Sequence, residues 1–219
     1  MGKTKRILEF YGLPGVGKTS VCHVLLGRYK ASSKMAELLS LYKNESLFFK
    51  LTHLPISSFL RFFWFLVFVP QKCKNEKMIY KEFFLFILLY HYFKYQKKYD
   101  YLIVDHGFAQ QLGSMLHNMD YDISDNNLKR FSSFVKSIDF LSLVYCQLPE
   151  QLALERMRKR GRNSGRIDAV MSNTDIAINL LIKENALFDR LNRMIPDVIK
   201  LDMNYPMKQV EINLLQLLS

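Results

Sequence analysis

Short apolar runs alternate along this chain with stretches of helical period. Residues 5–11 (KRILEFY) form a mostly apolar run ending at glycine, as a buried strand does. From Gly17 to about Tyr29 the positions of Val21, Val24, Leu25 and Tyr29 suit one face of a helix. A second strand is expected at Tyr101–Val104, running into Asp105, with Gly107 permitting a tight exit. Ser124 stands where an N-cap would, ahead of a helix carrying Leu128, Phe131, Phe134 and Val135. Phe140–Leu148 reads as a third strand, and Pro149 then opens a helix through LPEQLALERMRKR. Thr174–Ile195 is expected as a long helix, Asp197–Leu201 as the last strand, and Pro206 as the start of an amphipathic C-terminal helix. Strands alternating with helices predict a three-layer α/β/α fold around a mainly parallel five-stranded sheet.

Residues 34–98 break this rhythm. They read as mostly helical, with SLFFKL (46–51) an ambiguous strand and Met78–Tyr95 apolar nearly all round, as a helix buried on most sides would be. Of the 30 aromatic residues, 18 lie between Phe48 and Tyr101. Residues 54–70 are apolar except for Arg61 and bounded by prolines, yet the run falls short of the roughly 20 residues a membrane span needs. Two buried helices are the expectation, with peripheral membrane contact as the alternative.

With 219 residues, 49% apolar and 23% charged, the composition is that of an ordinary folded protein, and a single domain spanning 1–219 is expected. Cys22, Cys73 and Cys146 are too few and too scattered for a disulfide framework or a zinc site, so they read as buried thiols in a reducing compartment. The N-terminal MGKTKRILEFYG has no signal-peptide pattern, and a cytoplasmic location is expected.

Residues 12–19, GLPGVGKT, match G-x-x-x-x-G-K-[ST] between an expected strand and an expected helix. The spacing has a physical reason. Gly12, Gly15 and Gly17 let the backbone curl so that successive amides face phosphate oxygens, and the helix end that follows adds its positive dipole. Gly12, Leu13, Pro14, Gly15, Val16, Gly17, Lys18, Thr19 and Ser20 are therefore the expected ATP-binding loop. Lys18 would reach the β- and γ-phosphates, Thr19 would ligate Mg²⁺, and Ser20 would meet the α-phosphate.

Asp105 ends LIVD, the pattern that sets a carboxylate beside the magnesium of such a loop. It would hold the ion through water or accept the acceptor's proton. His106 stands where many hydrolytic ATPases carry glutamate, and no N-K-x-D string for guanine occurs. Phosphoryl transfer to an organic acceptor becomes the expectation. His106 would touch an anionic acceptor or hydrogen-bond a loop. In ERMRKRGRNSGRID, six cations fall within the eleven residues from Arg156 to Arg166. Gly161 and Gly165 would break the helix into an arginine-rich lid over 156–173, able to close on a triphosphate and stabilise the transferring group. A solvated basic face is the plainer alternative.

The P-loop, LIVDHG and LPEQLALERMRKRGRNSGRID, followed by a long helix and DVIKLD, resemble the thymidylate kinase and deoxynucleoside kinase branch of P-loop kinases. The resemblance covers residues 5–29 and 99–218. It implies that Arg156 stacks near the adenine, that Arg160, Arg162 and Arg166 contact phosphates, and that the turn Asp202–Tyr205 lines the adenine pocket. The departures fall on the acceptor side. Thymidylate kinases carry Asp-Arg where this chain has Asp105-His106, and their Glu-Pro-Gly loop has no counterpart in residues 34–56.

The expected function is an ATP- and Mg²⁺-dependent kinase of a nucleotide, nucleoside or related small acceptor, with Lys18, Asp105, Arg160 and Arg162 acting in transfer and Thr19 and Asp105 on the metal. Residues 34–98 would form the acceptor side, suited to an anionic or aromatic small molecule. The net charge of +11 raises a nucleic-acid partner, but no nucleic-acid module is recognisable. Alternatives are a regulatory or membrane-associated nucleotide-binding module without transfer, and a kinase of a lipid-linked acceptor. A homodimer stays open.

Overall fold

The computed structural model describes residues 6–31, 36–38, 88–94, 98–116, 123–161, 167, 170 and 172–218. In chain order these form β1 (Arg6–Gly12), α1 (Lys18–Ala31), β2 (Ala36–Leu38), a helical stretch at 88–94, β3 (Tyr101–Val104), α2 (Phe108–Leu116), α3 (Asp125–Lys136), β4 (Leu141–Gln147), α4 (Glu150–Arg160), α5 (Thr174–Met194), β5 (Ile199–Asp202) and α6 (Met207–Leu218).

The five strands form one parallel sheet in the order β2-β3-β1-β4-β5. β1 is central, pairing Glu9 with Val104 on one side and Gly12 with Cys146 on the other. That position explains its near-continuous apolar run, since a parallel strand covered on both faces has no polar side to show. Alternate residues face opposite cores. Ile7, Tyr11, Leu102, Val104, Leu143 and Tyr145 pack with α2, α3, the 88–94 helix and the C-terminal half of α5. Leu8, Phe10, Ile103, Val144 and Cys146 pack against α1, α4, α6 and the start of α5.

Local signals account for the helix ends. The Ser124 hydroxyl accepts the Asn127 amide, and Leu128, Phe131, Phe134 and Val135 are buried as the spacing predicted. Phe134 meets Phe108 edge to face at 5.0 Å, which fixes α3 against the start of α2. Gly161 closes α4 in the left-handed conformation, with its amide on the Arg158 carbonyl. Cys22 and Cys146 are buried free thiols.

One expectation changes. β2 lies inside the region read as helical. Ala-Glu-Leu is too short to show a strand period, and its extended form is imposed by pairing with residues 101–103, more than sixty positions away. Gly107 does not take a positive φ; what it supplies is room, because a Cβ there would lie 2.0 Å from the Glu9 carboxyl carbon. SLFFKL and residues 54–70 lie outside the described residues. The 88–94 part of the apolar helix is helical, with Leu88, Leu89, Tyr90 and Tyr92 fully buried. Among the described residues, no helix is long and apolar enough to cross a membrane.

Candidate nucleotide and cation site

The loop between β1 and α1 lies over the carboxyl ends of the central strands. Gly12, Gly15 and Gly17 all have positive φ. At Gly15 (φ +79°) a Cβ would lie 2.6 Å from Met157 Cγ and 2.7 Å from the Ala153 carbonyl oxygen, so α4 packs directly on the loop backbone. The amide of Gly12 donates to Gln110 Oε1 at 3.1 Å, and that of Val16 to the Leu13 carbonyl at 3.4 Å. Pro14 has no amide proton. The amides left to face an anion are those around Gly15, Gly17, Lys18 and Thr19, at the positive end of α1.

Lys18 is buried and spans the loop. Its Nζ donates to the carbonyls of Gly12 and Leu13, each at 2.9 Å, and an ammonium has a third proton to offer an anion. Burial lowers its pKa, while Cys146, Asp105 and Glu184 act in the opposite direction. An incoming phosphate would supply the counter-charge that burial withholds.

Thr19 and Ser20 are exposed on the first turn of α1. The Thr19 hydroxyl donates to Asp105 Oδ2 at 2.5 Å. Asp105 Oδ1 is buried and, among the described residues, has no hydrogen-bond partner. A carboxylate oxygen out of water and without a donor is costly unless a cation or water meets it, so this pair fits a hard divalent cation such as Mg²⁺. Among the described residues, no group of three or more His, Cys, Asp or Glu side chains is arranged to hold a metal. An ion here would therefore complete its shell with phosphate and water oxygens, as Mg²⁺ commonly does. His106 Nε2 is 3.9 Å from Asp105 Oδ2, and its side chain is 60% exposed.

Arg156 ties the loop to the far edge of the site. Its guanidinium donates to the Val16 carbonyl at 3.2 Å and to the Met203 carbonyl at 3.0 Å. Met203 belongs to the turn after β5, held by the Asn204 amide on Asp202 Oδ1 at 2.8 Å, and its methyl carbon would lie 3.3 Å from a Cβ at Gly17. Tyr205 follows, with half its surface exposed. The loop, Arg156 and Asp202–Tyr205, far apart in sequence, thus meet at one place. Arg160 is exposed at the last position of α4, and Arg158 reaches the Thr174 hydroxyl at 2.5 Å. Arg162 and Arg166 lie outside the described residues.

Three buried polar residues escaped the sequence reading. Glu9 stands in the middle of β1, Gln110 holds the Gly12 amide, and Glu184 Oε1 accepts from Gln110 Nε2 at 3.5 Å. An acid inside ILEFY, and Glu184 on the same stripe as Leu181, Leu187, Phe188 and Leu191, were the available signals. Gln110 carried none.

No family model and no curated protein matches the sequence. Among solved structures, the chain is similar to deoxyadenosine kinase from M. mycoides with bound dATP, at a TM-score of 0.54 and 15% identity over 97% of this chain and 98% of that one. The same enzyme with the products dCMP and a flexible dCDP gives 0.51 and 16%, over 97% of each chain. At such identity the likeness shows the fold alone, the one that this deoxyadenosine kinase also has.

Proposed function

We propose that this chain is an ATP- and Mg²⁺-dependent kinase that transfers the γ-phosphate to a small organic acceptor. The observation that carries this reading is the Thr19–Asp105 pair with its unpartnered buried Oδ1, set beside a glycine loop whose free amides and buried lysine suit a triphosphate. Thr19 and Asp105 would hold Mg²⁺, which offsets phosphate charge when bound. The loop amides would orient the β-phosphate, and Lys18 would follow charge as it builds on the γ-phosphate oxygens. Arg156 would keep the loop and the Asp202–Tyr205 turn in register for the base. Arg160, Arg162 and Arg166 are the proposed lid cations; closing them over the triphosphate would exclude water and favour an organic hydroxyl or phosphate as acceptor.

The deoxyadenosine kinase likeness makes a deoxynucleoside the first acceptor to try, ahead of nucleoside monophosphates, sugars and isoprenols. The test is ADP release from ATP and Mg²⁺ with each acceptor pool, in the wild type and in Lys18→Ala. A rise with one pool that Lys18→Ala abolishes is the expected result. Full turnover in Lys18→Ala would put the active site elsewhere. Nucleotide binding without ADP release from any pool would replace transfer with a binding role.

A further inference from the structure

Glu9 lies at the centre of β1, pairs in register with Val104 at the end of β3, and is completely buried. One carboxyl oxygen accepts the Ala109 amide at 2.6 Å, and the other accepts the Tyr92 hydroxyl at 2.8 Å. Ala109 is the second residue of α2, and amides in a first turn have no partner within their own helix. Glu9 therefore caps α2 from a different part of the chain. Gly107 completes the fit, since a Cβ there would lie 2.0 Å from the carboxyl carbon.

The consequence concerns what lies between. Glu9 lies in register with Val104 in the strand ladder and holds Ala109 through its side chain, so a single residue stands against both ends of the segment that carries Asp105. Gln110, next after Ala109, holds the Gly12 amide of the phosphate loop. We propose that Glu9 is a positioning residue: by clamping the β3–α2 turn it keeps the Asp105 carboxylate beside the Thr19 hydroxyl, where a divalent cation would be held. This rests on the nucleotide and cation reading given above. An acid is an expensive way to fill a strand core, and burial pushes its carboxyl up to about 7, against the hydrogen bonds from α2 and Tyr92. The groups facing it are the Tyr92 hydroxyl from the 88–94 helix, the amides of α2, and Tyr11 two residues along its own strand. The clamp itself needs hydrogen-bonding geometry and not charge, so an amide of the same shape can replace the carboxyl.

The test compares ATP affinity with and without Mg²⁺ in the full chain, for the wild type, Lys18→Ala, Glu9→Ala and Glu9→Gln, with circular dichroism to confirm folding. Glu9→Ala is expected to reduce the Mg²⁺ enhancement of binding at least fivefold while leaving Mg²⁺-free affinity within twofold. Glu9→Gln is expected to keep the enhancement within twofold of wild type. A residue that only stabilises the core would lower the melting temperature and leave that ratio alone. An unchanged ratio in Glu9→Ala, or an equal loss in Glu9→Gln, overturns the proposal. Should Glu9→Ala not fold, Tyr92→Phe removes one of the two clamping bonds at nearly constant volume; a drop of twofold or more supports the clamp, and no drop overturns it. Equal nucleotide binding by wild type and Lys18→Ala would refute the nucleotide reading itself and the clamp with it.

Discussion

The Thr19 hydroxyl donates to Asp105 across 2.5 Å, joining residues 86 positions apart in the chain. The parallel pairing of β1 with β3 brings them together, because both strands end at the same edge of the sheet. Asp105→Asn keeps the shape and removes the charge. It is expected to lower acceptor-dependent turnover about 100-fold, which corresponds to about 3 kcal/mol of transition-state stabilisation. ATP affinity without Mg²⁺ should stay within about threefold. Wild-type turnover in this variant would mean that the pair does not serve the cation.

Gly15→Ala tests whether the close approach of α4 shapes the glycine loop for the proposed nucleotide. The new methyl group meets Met157 and the Ala153 carbonyl well inside contact distance, at a φ that side chains rarely adopt. ATP affinity should fall at least tenfold, with a melting temperature several degrees lower. Ala at Gly161, where a Cβ would have nothing within 4 Å, is the control for φ strain alone and should leave affinity within twofold.

Arg156→Ala removes two charge-assisted bonds, to Val16 and Met203, from a residue largely open to solvent. Screening keeps the stability cost small, about 1 kcal/mol in urea unfolding. The larger effect should be on the nucleotide, with KM for ATP rising more than kcat falls. A fall in kcat alone would place Arg156 in the transfer step instead.

Stability should depend on pH through Glu9. Its carboxyl is raised from 4.5 to about 7 by burial, so between those values the folded chain binds more protons than the unfolded one. Stability conferred by that extra proton is complete below about 4.5, declines as pH rises towards 7, and is flat above it. The decline is on the order of 3 kcal/mol at most. Urea unfolding at pH 5 and pH 8 reads it as the difference between wild type and Glu9→Gln, since glutamine does not titrate. Identical pH dependence in the two would show that Glu9 keeps its ordinary pKa when folded.

How much of this was legible before folding follows from the range of each interaction. GLPGVGKT, the Ser124 cap, the Pro149 helix start and the apolar runs of β1, β3 and β4 are local signals, written within a few residues of the element they specify. From them the sequence determined the α/β alternation, the glycine loop between β1 and α1 and the candidacy of Asp105. Tertiary structure decided the rest. Residues 36–38 are extended because β3 offers them an edge, and Arg156 meets Met203 because α4 and β5 end beside the same loop. Glu9 stands in an apolar strand with no local mark of its role; its meaning comes from Ala109, Tyr92 and Gly107, 83 to 100 residues away. A hydrogen bond of that kind leaves no period or spacing in the chain, since its partners are chosen by the packing of the sheet and not by their order in sequence.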